Sequence, residues 1–235
     1  MSLPKITYPQ IILTIPSTSK KVAFRPFLVK EEKILLMAKL SEEEKDILIA
    51  IKQVVNNCAL DEFNVNKISL FDLEYIFIQL RAASVNDTVQ VSYRDNEDNK
   101  VYDFDVKLKE IEINFPEKVD NTIRITDTTG ILLKYPNASL YEDKEFLESG
   151  EDSFFQLIVR CVDKIYDENE VYESSAYSKK ELEEYLENLD IKTFEKIQDF
   201  MVNQPKLSYK ISYKNSLGND REIELTTLSD FFTLR

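Results

Sequence analysis

Ile11-Ile-Leu-Thr-Ile-Pro-Ser-Thr-Ser-Lys-Lys-Val-Ala-Phe-Arg-Pro26 reads as two short strands about a polar turn, closed by a proline, and the chain uses this plan twice. Thr122-Ile-Arg-Ile-Thr-Asp-Thr-Thr-Gly-Ile-Leu-Leu-Lys-Tyr-Pro136 follows the same pattern, and the two closing prolines stand 110 residues apart. Helical patterning comes next in both places, at Ser41-Glu-Glu-Glu-Lys-Asp-Ile-Leu and, 108 residues later, at Ser149-Gly-Glu-Asp-Ser-Phe-Phe-Gln. Each half then reaches a further hairpin, Val91-Ser-Tyr-Arg-Asp and Ile211-Ser-Tyr-Lys-Asn, offset by 120. Self-similarity at a fixed spacing constrains architecture before any single element does. The expectation is an α+β fold of two pseudo-repeated units, each hairpin–helices–hairpin, packed together. Residues 1–118 form the first unit and residues 119–235 the second, with an inserted helix near 168–190.

Between the hairpins the apolar spacing defines helices. Val29 to Leu40 carries Ile34, Leu35 and Ala38 on one face. Ile47, Leu48, Ile51, Val54, Val55 and Cys58 make one stripe of the next helix, and Leu73, Ile76, Phe77 and Leu80 that of a third. Ser41 with Glu44, and Ser178 with Glu181, have capping-box spacing, in which hydroxyl and carboxylate satisfy orphan amides. Ser69 before Asp72 marks the start of the third helix. Thr88–Tyr93 and Val101–Phe104 alternate as a hairpin, and strand character runs on through Leu108, Ile111 and Ile113. In the second half Thr128-Thr-Gly130 supplies a glycine for a positive φ in the turn. Phe155, Ile158, Val159, Val162, Ile165 and Tyr166 read as one helical stripe, and residues 167–178 as an exposed polar loop. Helices at Lys179–Leu189 and Ile191–Val202 follow, the latter stopping before Pro205. Tyr209–Tyr213 and Glu222–Leu225 close the chain.

Composition excludes several function classes. Among 235 residues 43% are hydrophobic, enough for a substantial core. Three glycines are too few for a phosphate-cradling loop. The absence of histidine removes Ser-His and Cys-His catalysis and the commonest metal ligand. A net charge of -13, without a dense basic cluster, opposes contact with nucleic acid backbones. Cys58 and Cys161 each fall within an apolar pattern and read as buried free thiols of a reducing compartment. No signal peptide and no membrane-spanning apolar run is recognised, so a soluble, intracellular protein is expected.

Three stretches stand out as candidate sites. Asp95-Asn-Glu-Asp-Asn99 is the densest run of oxygen ligands, but it lacks the glycine at position six and the glutamate at position twelve of a calcium loop, and reads as a solvated hairpin turn. Phe24-Arg25-Pro26-Phe27 sets two aromatics about an arginine and a rigid proline at a strand end, a place to grip a partner. Phe231 and Phe232 close an apolar tail. On a strand, successive side chains face opposite ways, so one ring would need cover from a neighbour; a helical tail could turn both inward. Phe24, Arg25, Phe27, Phe231 and Phe232 are therefore the candidate partner-binding residues. No catalytic, cofactor-binding or metal-ligating residue is assigned.

Leu3-Pro-Lys-Ile-Thr-Tyr-Pro, followed by Lys21-Val-Ala-Phe-Arg-Pro-Phe-Leu-Val-Lys-Glu-Glu-Lys-Ile-Leu-Leu, resembles the baseplate hub subunit and hub-assembly family of T-even-type contractile-tailed phages. Ile223-Glu-Leu-Thr-Thr-Leu-Ser-Asp-Phe-Phe is similar to that family's carboxy-terminal end. The resemblance implies a non-enzymatic baseplate hub component or assembly factor whose partners are other hub proteins, with oligomerisation compatible with that role. It implies assembly work in the cytoplasm of the infected bacterium, with or without a lasting place in the tail baseplate, and it brings no catalytic residues and no cofactor. An acidic anti-host protein mimicking DNA, and a carboxylate- and metal-dependent enzyme, are the alternatives.

Overall fold

Antiparallel pairing begins where the opening stretch requires it: Ile11–Thr14 (β1) and Lys21–Phe24 (β2) pair with Leu13 opposite Val22. The computed structural model describes residues 6–41, 43–117 and 120–231. After β2 come Val29–Ser41 (α1), Glu44–Cys58 (α2) and Leu70–Ser84 (α3). α3 is buried along most of its length, including Leu73, Ile76, Ile78 and Leu80. Ser69 caps it, its hydroxyl accepting from the Asp72 amide, and the buried Asp72 carboxylate in turn accepts from Ser69 Oγ at 2.6 Å and the Ser17 amide at 2.9 Å. That carboxylate ties the β1–β2 turn to the helix start. Ser41 caps nothing: it is the last residue of α1, its hydroxyl donating to the Ala38 carbonyl, and α2 starts after Glu43 without a side-chain cap.

Thr88–Arg94 (β3) and Val101–Lys107 (β4) form the next hairpin, and Glu112–Asn114 (β5) follows a short 3-10 turn. The chain then builds Thr122–Arg124 (β6), Gly130–Leu133 (β7), Lys144–Leu147 (α4), Ser153–Cys161 (α5), Val162–Tyr166 (β8), Val171–Glu173 (β9), Lys179–Glu187 (α6) and Ile191–Val202 (α7). It closes with Lys206–Lys214 (β10), Asp220–Leu225 (β11) and Leu228–Phe231 (α8). The α+β class holds, with helices and small antiparallel sheets throughout.

The division of the chain differs from the one read in the sequence. One compact unit comprises Met1–Asn114 and Lys206–Arg235, the other Phe115–Pro205. Backbone pairing is the reason: β10 joins β5, with Leu207 opposite Ile113, so the sheet order is β11-β10-β5. The hairpin expected to close the second unit belongs to the first, and residues 115–205 are inserted between two neighbouring strands. Its core gathers Ile78, Val91, Val106, Leu108, Ile111, Leu207, Ile211, Leu225 and Phe231.

The inserted unit has one four-stranded sheet, β6-β7-β8-β9. Its core joins Ile123, Ile131 and Leu133 of the sheet to Ile158 and Val159 of α5, Leu182 and Leu186 of α6, and Ile197 and Phe200 of α7. Here the helical stripe read through Tyr166 is corrected: α5 ends at Cys161, and Val162–Tyr166 is a strand pairing with β7 and β9. A short apolar run satisfies either period, and β-branched Val162 and Ile165 suit the pleated side of that choice. The presumed polar loop contains β9. Gly130 is required for another reason than turn geometry: its φ is not positive, but a Cβ there would meet the Tyr166 ring and lie 2.8 Å from the Ile123 carbonyl oxygen.

Candidate partner-contact surface

Of the residues singled out as partner-binding, Phe24, Arg25 and Phe231 have their side chains engaged inside the first unit. Phe24 is fully buried, its ring edge-on to Phe63 at 5.6 Å. Arg25 is not a surface arginine: its side chain is 14% exposed and makes two 3.0 Å hydrogen bonds to the fully buried Glu31 carboxylate. It also donates to the Asn57 and Pro26 carbonyls, so one guanidinium joins the end of β2, the start of α1 and the end of α2. Burial opposes the Glu31 charge, yet hydrogen bonds from Arg25 and the Leu28 amide hold its carboxyl below the usual range. Phe27 is half-buried, with its ring 5.7 Å from that of Phe77 and its amide donating to Ser84 Oγ. Phe231 is 2% exposed within the core. It lies on a helix, where the alternation of a strand does not apply; the Asp230 carboxylate accepts from the amides of Thr226 and Thr227 and secures that turn. Phe232 lies outside the described residues.

Asp95-Asn-Glu-Asp-Asn99 is a clasp rather than a solvated turn. The tip of β3–β4 meets the tip of β10–β11, its sequence counterpart. Tyr213 Oη donates to Asp95 at 2.5 Å, Asn215 Nδ2 to Glu97 at 2.7 Å, and the Ser216 amide and hydroxyl to Asp98 at 3.0 and 2.8 Å. Arg221 reaches Asp95 at 3.3 Å and Glu97 at 3.1 Å, and the Tyr213 ring packs 5.0 Å from Tyr102 and 5.1 Å from Phe104. The Tyr213 hydrogen bond holds the Asp95 carboxyl below its ordinary range. For Asp98, burial works the other way and is outweighed by Tyr102 and Ser216. The Tyr213 phenol is pushed up to about 12 by burial and by Asp95. Among the described residues no group of three or more His, Cys, Asp or Glu is placed to hold a metal. Cys58 and Cys161 are free and buried, and burial raises their thiols to about 11 and about 12. Among the described residues no helix is long and apolar enough to cross a membrane.

Two features that the sequence reading passed over remain. The first is the outer face of α1. Ile34, Leu35 and Ala38 turn partly inward as expected, but Val29, Leu36, Met37 and Leu40 are 75%, 52%, 72% and 82% exposed. Spacings of 7 and 4 put Val29, Leu36 and Leu40 on one side, beside Met37. Consecutive Leu35-Leu36-Met37 was the available signal: three apolar residues in a row on a helix cannot all face its own core, and some are left for something else.

The second is a groove of about 300 Å³ in the first unit. Leu35 of α1, Ile47, Leu48 and Ile51 of α2, Phe77 of α3 and Leu228 of α8 give it apolar walls, and Lys39, Glu74 and Arg81 add charge. Burial pushes the Glu74 carboxyl up to about 7.

A family model described as T4 bacteriophage base plate protein matches residues 8–233. No curated protein and no solved structure matches the chain.

Proposed function

This chain belongs to the T4 bacteriophage base plate protein family, and we propose that it is a non-enzymatic component or assembly factor of the baseplate hub, acting through contacts with other baseplate proteins. The outer face of α1 carries this reading. Four large apolar side chains on one side of one helix are costly in water, and covering each contributes about 1.5–3 kcal/mol. Large apolar side chains exposed together on one side of a helix, here around the exposed Lys33, mark a surface where proteins meet proteins. The polar resources point the same way: the carboxylates of the hairpin clasp, the Arg25–Glu31 pair and both thiols are engaged in holding the fold. The working place is the cytoplasm of the infected bacterium during assembly and the tail baseplate thereafter.

The test is a double substitution, Leu36→Glu with Leu40→Glu, supplied in place of the unmodified protein during infection. Both positions face solvent, so folding stability should change by no more than about 0.5 kcal/mol per site. Hub complexes purified from the infected cells should lack the variant and accumulate as incomplete baseplates. Normal incorporation and normal baseplates would refute the reading.

A further inference from the structure

We propose that the outer face of α1 packs along a helix of another baseplate protein, and that this helix sets a carboxylate, Asp or Glu, against Lys33 within an otherwise apolar seam. The inference rests on the reading of that face as a baseplate contact and adds the chemistry of what covers it. Val29, Lys33, Leu36 and Leu40 are spaced 4, 3 and 4 apart. This is the alternation by which one α-helix lies along another at a shallow angle, each side chain entering a gap in the facing helix. All four side chains are exposed, and on a regular helix the seam they make runs roughly 16 Å.

Lys33 decides the occupant. Its neighbours on the helix surface four before, three after and four after are Val29, Leu36 and Met37, all apolar and exposed. A helix that covers them covers the lysine stem as well, and a wholly apolar one would strip water from the ammonium without replacing it. A carboxylate opposite Lys33 restores those hydrogen bonds in charge-assisted form. One polar position in an apolar seam is also the device that fixes register and partner choice between helices. The flanks favour the same sign: on α1 Lys30 and Lys39 stand beside the seam against Glu32, while Glu31 is buried on Arg25. A second copy of this chain fits poorly. It carries the same net charge of -13, and two facing α1 helices would set Lys33 against Lys33 or against apolar side chains.

Competitive incorporation tests the pairing. The unmodified chain and one variant are supplied in equal amounts during infection, and mass spectrometry of purified hub complexes gives their ratio. Lys33 is exposed, so none of its variants should alter the melting temperature of the free chain. Lys33→Arg keeps the charge and should be incorporated to a similar extent. Lys33→Glu opposes two carboxylates and Lys33→Met leaves one covered and unpaired, so each should fall at least about tenfold below the unmodified chain. Lys33→Met is the deciding variant, because an apolar helix would accept it as well as or better than lysine. Incorporation of Lys33→Met equal to or above that of the unmodified chain overturns the proposal; if Leu36→Glu with Leu40→Glu is still excluded, the hub contact stands without the carboxylate. Sedimentation of the purified full chain as a dimer that Leu36→Glu dissociates also overturns it, since a second copy would then be the occupant.

Discussion

The two units open on the same kind of hairpin and then part ways. In the first, β1–β2 stays two-stranded, and helices separate it from a pair of hairpins whose tips clasp through Asp95, Glu97, Asp98, Tyr213 and Arg221. In the second, β6–β7 grows by β8 and β9 into one sheet with three helices packed in the same core. The divergence is decided at Val162, where the chain leaves α5 and enters a strand. A second lesson follows from Val91–Asp95 and Ile211–Asn215. Their likeness, which reads as two copies of a unit, belongs to two hairpins that contact each other within one unit.

The largest effect expected on the first unit comes from Arg25→Ala. It leaves the fully buried Glu31 carboxylate without its partner, and such a loss costs about 3–5 kcal/mol. Glu31→Gln in the same background should recover part of it, as measured by chemical denaturation. Ile131→Ala is the counterpart in the second unit, costing about 2–5 kcal/mol by leaving a cavity under the sheet. Hydrogen exchange sharpens the comparison: Ile131→Ala should loosen amides of β6–β8 and spare β10–β11, even though the closing hairpin follows the second unit in sequence. Faster exchange in β10–β11 than in β6–β8 would break the partition.

Acid should separate the units more gently. Asp95 and Asp98 are held below their ordinary value of 3.8 in the folded chain, so the unfolded chain binds more protons in that region. Their stabilisation is therefore complete above the ordinary value and is lost as pH falls through the lower folded values. Asp143 of the second unit is likewise depressed, by Arg160 and Lys179. Asp95→Asn with Asp98→Asn should flatten the acid dependence of exchange in the clasped hairpins and leave that of α4–α6 as it was. An unchanged acid limb in the hairpins would show that the clasp carries no charge-dependent stability. The smallest effect compares the two serines with capping-box spacing. Ser178→Ala should cost about 1 kcal/mol, since both bonds of that box are made, and Ser41→Ala should stay within about 0.5 kcal/mol.

Local features were the most legible in the sequence. The helix at Ile191–Val202 has the bounds its periodicity and Pro205 imply, and Ser178 and Ser69 cap as their spacing suggests. Ser41 misleads because α1 runs through it, a matter of packing that spacing does not encode. The β5–β10 pairing lies beyond local reading, since 91 residues intervene between its strands and backbone hydrogen bonds have no side-chain signature. Among candidate sites, the size of Phe24 and Phe231 and the aromatic company of Arg25 describe a contact surface and a core equally well. Consecutive apolar residues on α1 carried the more useful information, because an inward face was already accounted for by Leu35 and Ala38.

The account turns on whether the outer face of α1 is covered in the assembled particle, and methionine oxidation reads this directly. Met37 is 72% exposed on that face, while Met201 is 7% exposed in the core of the second unit and serves as the internal reference. Brief peroxide treatment, followed by mass spectrometry, should oxidise Met37 readily in the free protein and at least about tenfold more slowly in purified hub complexes, with Met201 slow in both. Equal oxidation of Met37 in the free protein and in complexes that contain it would contradict the account.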